Sequence, residues 1–154
     1  MEERTIHYRF TDLDCPVSLR KAHKCFYQAM EFWARFDPRL VFVEATHTRA
    51  KLNFIWEFHP RFDENKIARC IHTGNDHWLL AFDPRVTWAA GPIKRFFGMG
   101  ECLLTIAAHE IGHALRLPHS NNSDSVMYPE PINLRLDTKD TRLYEEQHGP
   151  NPFV

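Results

Sequence analysis

His109-Glu110-Ile111-Gly112-His113-Ala114-Leu115-Arg116-Leu117-Pro118-His119 is the stretch from which the rest of the chain can be read. Two histidines four residues apart on a helix lie about one turn apart on one face, so both imidazoles can reach a single ion. Glu110 is rotated about 100° round the same helix, toward the same cleft but off the ligand axis, where it can hold a water instead of the metal. The third histidine, six positions beyond the second, cannot share that face, so the helix has to stop and the chain has to swing back. Pro118 enforces the stop. It disfavours helical geometry at Leu117 and cannot extend the ladder itself, which predicts a helix ending near Leu115 or Arg116.

His-Glu-x-x-His, the third histidine and a methionine further on resemble the metzincin signature. Ile106 to Leu115 followed by His119-Ser120 looks most like the matrixin branch, the catalytic domain of the matrix metalloproteinases. Ser125-Val126-Met127-Tyr128-Pro129 resembles that family's Met-turn. The resemblance implies one catalytic zinc held by His109, His113 and His119, with Glu110 as general base and acid. Met127 would then be an apolar floor beneath the ligands, and the substrate a peptide or protein.

Composition narrows the remaining classes. A length of 154 residues suits one domain, taken as 1–154 with a core of about 5–149, and can bury a core without staples. The hydrophobic share of 44% and charged share of 25% are globular values. A formal net charge of -1 leaves no electrostatic footprint for nucleic acid or an anionic membrane. No apolar run approaches the roughly 20 residues needed to span a bilayer. Met1-Glu2-Glu3-Arg4 lacks the apolar core of a signal peptide, so a secreted location rests on the resemblance alone. Cys15, Cys25, Cys70 and Cys102 form no Cys-x-x-Cys pair and are too sparse for a disulfide scaffold. Free buried thiols are expected, one bridge being the alternative. A monomer is expected.

Along the chain, Thr5 to Phe10 alternates, with Ile6, Tyr8 and Phe10 on one face of a first strand. Ser18 is placed to cap a helix running to about Phe36, whose stripe Ala22, Cys25, Phe26, Ala29, Met30, Trp33 recurs at three and four residues. Asp37-Pro38 breaks it. Leu40 to Glu44 reads as a second strand, and Lys51 to Phe58, rich in bulky residues, as a central one. After a loop from His59-Pro60 to Lys66, Ile67 to Ile71 is a short strand. Thr73-Gly74-Asn75-Asp76 is a turn, and Trp78 to Phe82 a further strand closed by Asp83-Pro84. Gly91-Pro92 and Gly98-Met99-Gly100 bracket a segment expected to be mobile, and Glu101 is placed in the first turn of the active-site helix, where a negative charge suits the dipole. Asp137 to Gln147 is a polar helix ended by His148-Gly149-Pro150. His7, His23, His47 and His148 read as surface or half-buried side chains, and Trp33, Trp56 and Trp88 as core.

By resemblance the fold class is α+β: a twisted, mostly parallel five-stranded sheet with one antiparallel edge strand and three helices, of the zincin kind. Ala68 and its neighbours fall where the family has that edge strand. Phe82-Asp83 with Trp88 is similar to its Phe-Asp-x-x-x-x-Trp segment, and Leu136, Asp140 and Gly149 keep the spacing of its closing helix. The chain therefore looks like a bare catalytic domain, without a hemopexin-like module or a Pro-Arg-Cys-Gly latency segment.

In that reading the edge strand around Ile67 and Ala68 binds an extended substrate by strand addition. Pro129-Glu130-Pro131, where matrixins usually carry Pro-x-Tyr, forms the wall of the pocket beside the zinc, and Thr105 falls at the pocket floor. Two departures stand out. Arg116 replaces a motif glycine at a turn expected in the left-handed region; its side chain is expected to hydrogen-bond the last helix carbonyls, and the substitution to lower stability or shift the third ligand without abolishing zinc binding. Arg69 and Ala81 stand where the family's second, structural zinc takes histidines, so neither that zinc nor calcium is expected. His59, His72 and His77 leave an improvised site as the alternative. Two other functions compete: a catalytically impaired zinc-binding pseudo-protease or peptide-binding module, and a zinc hydrolase of non-peptide amides.

Overall fold

The computed structural model describes residues 2–12, 14–45, 52–59, 62, 65–74, 76–90 and 100–151. Gly91, Pro92, Gly98 and Met99, with His47, Lys51 and Asn75, lie outside the described residues.

Strand β1 (Arg4–Thr11) buries Ile6 and Tyr8 on one face, as its alternation requires. Helix α1 (Leu19–Phe36) buries Ala22, Cys25, Phe26, Ala29, Met30 and Trp33, the whole expected stripe. Ser18 occupies the N-cap position, but its side chain makes no capping hydrogen bond. Strands β2 (Leu40–Glu44) and β3 (Phe54–Phe58) follow, the latter burying Phe54, Trp56 and Phe58. Strand β4 (Ala68–Gly74) runs further than its apolar residues suggest, because His72 and Gly74 stay in the ladder on either side of an irregularity at Thr73. The reversal falls later, next to Asp76 with φ 55°, and leads into β5 (His77–Phe82).

The five strands lie in the order β2-β1-β3-β5-β4, with β3 central. All neighbours are parallel except β4 against β5. Against the sheet lie α1 and helix α2 (Leu103–Ala114), which also pack on each other. Phe26 stacks on Trp56 with ring centroids 4.5 Å apart, and Phe82 lies 5.3 Å from Phe26, so one aromatic layer joins helix to sheet. The Phe-Asp-x-x-x-x-Trp segment is knitted by its own polar groups: Trp88 Nε1 donates to the Asp83 carbonyl at 2.8 Å, while the Arg85 guanidinium holds the Asp83 carboxylate.

Glu101 is corrected in position. Glu101–Cys102 form a short strand, β7, paired with β6 (Trp88–Ala89), and α2 begins only at Leu103, so Glu101 precedes the helix instead of lying in its first turn. The last helix, α3 (Thr138–His148), starts with a capping box between Asp137 and Asp140 and ends at Gly149 with φ 83°. The four cysteines are free: Cys25 and Cys102 are buried, and Cys15 and Cys70 half-buried. No described helix is long and apolar enough to cross a membrane.

Candidate metal centre

α2 supplies His109 and His113 one turn apart, and the chain leaves it within a residue of the expected place, with Leu115 as C-cap. Arg116 follows at φ 69°. Its N–H donates to the His113 carbonyl and that of Leu117 to the Gly112 carbonyl, both at 2.9 Å, the paired bonds that close a helix through a left-handed residue. A side chain there costs about 1 kcal/mol or more relative to glycine. It is the backbone N–H of Arg116, not its guanidinium, that meets the helix's last carbonyls. The reversal returns His119 to the first two histidines, with ring centroids 5.2 Å from His109 and 4.8 Å from His113.

One ligand atom from each of the three histidines lies within 4.8 Å of the others, and among the described residues they are the only such group of three. His109 Nδ1 donates to the Val126 carbonyl at 2.7 Å and His113 Nδ1 to the Leu117 carbonyl at 2.9 Å. Carbonyls only accept, so each Nδ1 carries the proton and each Nε2 presents a lone pair. Those two Nε2 atoms are 3.0 Å apart, an approach that two lone pairs favour only with a cation between them. Burial, opposed by the Val126 bond, pushes the His109 pKa down to about 4, and burial also lowers that of His113, so both rings stay in the neutral, ligating form. The donor set fits zinc, which His109, His113 and His119 would hold.

Glu110 is buried beside the triad in the same cleft, and desolvation, against the pull of Lys66, raises its carboxyl to about 8. A divalent cation at the triad would draw it back down. Met127 lies fully buried under α2, and a Cβ on Gly112 would fall 2.2 Å from its sulfur, so the glycine of the motif is what lets the Met-turn close up to the helix. That turn is held from α3. Ser125 Oγ donates to Asp140 at 2.5 Å and accepts the Met127 N–H at 2.9 Å, while Ser120 Oγ donates to Asp137 at 2.8 Å. These polar anchors, with the cluster of Asp37, Arg39 and Tyr144, are what sequence reasoning missed; Asp140 was visible only as a spacing.

A cleft of about 580 Å³ runs between β4 and the segment after the Met-turn, and Ile67, Ala68, Pro129 and Pro131 line it with the histidines and Glu110. Thr105 does not. Its hydroxyl turns to Cys102 Sγ at 3.3 Å and Ile106 faces the cleft in its place. The Ile67 carbonyl is committed to the sheet by the Asp83 N–H, so antiparallel alternation leaves the backbone groups of Ala68 and Cys70 facing the outer edge. Arg69 and Ala81, at the family's structural-zinc positions, are ladder partners across β4 and β5. The His72 ring stacks on Trp78 at 4.4 Å.

The family described as Matrixin matches residues 1–149. Stromelysin-2 of Rattus norvegicus is 38% identical over 162 aligned residues, covering 96% of this chain and 32% of that protein. Macrophage metalloelastase of the same species is also 38% identical, over 96% of this chain and 33% of its own. Karilysin of Tannerella forsythia is 42% identical across 49% of this chain and 15% of its own. The chain thus spans about a third of the length of the rat proteins.

Proposed function

This chain belongs to the matrixin family, and from that premise we propose that it is a zinc-dependent endopeptidase cutting extended peptides or protein segments. The reading is carried by the two unprotonated Nε2 atoms of His109 and His113 facing each other at 3.0 Å, with His119 beside them. His109, His113 and His119 would hold the metal, which when bound lowers the pKa of a water to about 7 and polarises a carbonyl. Glu110 takes the proton of the attacking water and returns it to the leaving nitrogen, a task suited to a buried carboxyl placed beside the triad. Ala68 and Cys70 receive the substrate main chain on the open edge of β4, so that backbone bonds dominate binding and sequence preference is broad. Ile67, Pro129 and Pro131 line the cleft, and Met127, packed against Gly112 on the same helix as His109 and His113, would support the ligands from below.

The test is hydrolysis of a denatured protein mixture with and without a zinc chelator. Glu110→Ala should cut the rate by about two to four orders of magnitude, the usual worth of a positioned acid-base group, while zinc content stays at one per chain. Equal, chelator-insensitive background in both proteins would leave a binding module. Cleavage restricted to small non-peptide amides would move the substrate class.

A further inference from the structure

The exit turn of α2 orients two histidines at once. The Leu117 carbonyl fixes the His113 ring, and His119 follows two residues later. Yet the turn passes through Arg116 at φ 69°, a conformation its own side chain disfavours. The paired backbone bonds of the turn work against that cost, and one contact from the far end of the chain is placed to reinforce them.

Leu115 is the C-cap of α2, and its carbonyl accepts from His148 Nε2 at 2.7 Å. The other ring nitrogen, Nδ1, lies 2.7 Å from Arg4 Nη1. A guanidinium only donates, so Nδ1 is the acceptor and the proton is fixed on Nε2, aimed at Leu115. The His148 ring is half-buried, packs 4.4 Å from Tyr144 and walls a cavity of about 420 Å³ together with Arg4 and Arg116. Burial, with the charges of Arg4 and Arg116, keeps this imidazole below its ordinary pKa against the pull of the Leu115 bond, hence in the neutral form that the tautomer requires. The chain Arg4–His148–Leu115 therefore ties the first strand and the last helix to the residue immediately before the strained one.

We propose that His148 is a positioning residue for the metal centre: by pinning the Leu115 carbonyl it holds Arg116 in the left-handed turn that delivers His119, a constraint that a glycine at 116 would make unnecessary. The inference rests on the zinc reading above. It predicts that the importance of His148 depends on what stands at position 116, which general support of the fold would not.

The experiment measures zinc affinity by competition with a chromogenic chelator, and thermal unfolding of the chelator-treated proteins, for the full chain, His148→Ala, His148→Gln, Arg116→Gly and Arg116→Gly with His148→Ala. With Arg116 present, His148→Ala should weaken zinc binding about tenfold, at the low end for groups that orient ligands through another residue. His148→Gln, whose amide can still donate to Leu115, should recover much of that loss. In the Arg116→Gly background the same alanine should cost less than about threefold. Equal losses in both backgrounds, or none in either, would overturn the positioning role while leaving the zinc reading intact. Failure of the unmutated chain to bind one zinc would overturn the zinc reading and this inference with it. Should the alanine variant not fold, the same comparison is made with His148→Phe, which keeps a ring against Tyr144 but cannot donate to Leu115, and its Arg116→Gly double variant.

Discussion

Trp33 and Trp56 are both fully buried, one where α1 meets α2 and one in the aromatic layer over the sheet, and the two regions hold them differently. Trp33 Nε1 donates to the Ala108 carbonyl at 2.8 Å, one residue before the first metal-site histidine. Trp56 Nε1 has no partner among the described residues. Around Trp56 the neighbours are Phe26 and Phe82, and shape and area do the holding. Around Trp33 a polar framework runs from α1 to α3. Tyr144, its ring 6.3 Å from Trp33, donates its hydroxyl to Asp37 at 2.7 Å, and Asp37 is gripped by Arg39 through Nε and Nη2. The surroundings of Trp33, next to the three imidazoles, are thus held by directional bonds where those of Trp56 are close-packed. Directional bonds specify angles, and a metal site needs angles.

The largest effect should come from cutting the framework at its most buried charge. Asp37→Ala removes one partner of a buried pair and should cost about 3 to 5 kcal/mol in urea unfolding; a loss under about 1 kcal/mol would make the two regions equivalent. Next, Trp33→Phe should destabilise about 2 kcal/mol more than Trp56→Phe, because the first loses a bond while the second relieves an unpaired buried N–H. Equal losses would erase the contrast. Ser125→Ala, which strips partners from Asp140 and the Met127 N–H, should cost about 1 to 2 kcal/mol and lower zinc affinity with it. The smallest effect is in acid. Burial alone would raise the Asp37 pKa, but the Arg39 and Tyr144 bonds outweigh it and hold the carboxyl below its ordinary value. Its contribution is therefore complete above pH about 4 and is lost as pH falls through the lower folded-state pKa. Stability followed from pH 5 to 2 should decline less steeply in Asp37→Asn than in the parent.

Where the sequence was legible, the information was local. The α1 stripe repeats every three or four residues, β1 and β3 alternate, and Pro118 stops α2 within one residue of Leu115, all consequences of backbone geometry acting over a few positions. Glu101 shows the limit: its charge suits a helix start, but pairing of β7 with β6 took the residue first. Asp37 read only as a helix breaker, and His148 as a surface or half-buried side chain at the end of the last helix, because Tyr144 and Leu115, which they bind, lie far off along the chain.

By itself the sequence determined the periodic elements, the antiparallel edge strand by family likeness, and the spacing that lets three histidines converge. Tertiary structure alone decided the distant partners of the buried polar groups, since Asp37 meets Tyr144 across 107 positions and His148 meets Leu115 across 33. A hydrogen bond is satisfied only at about 3 Å and in the right direction, and no local pattern carries that information until packing has brought the two ends together.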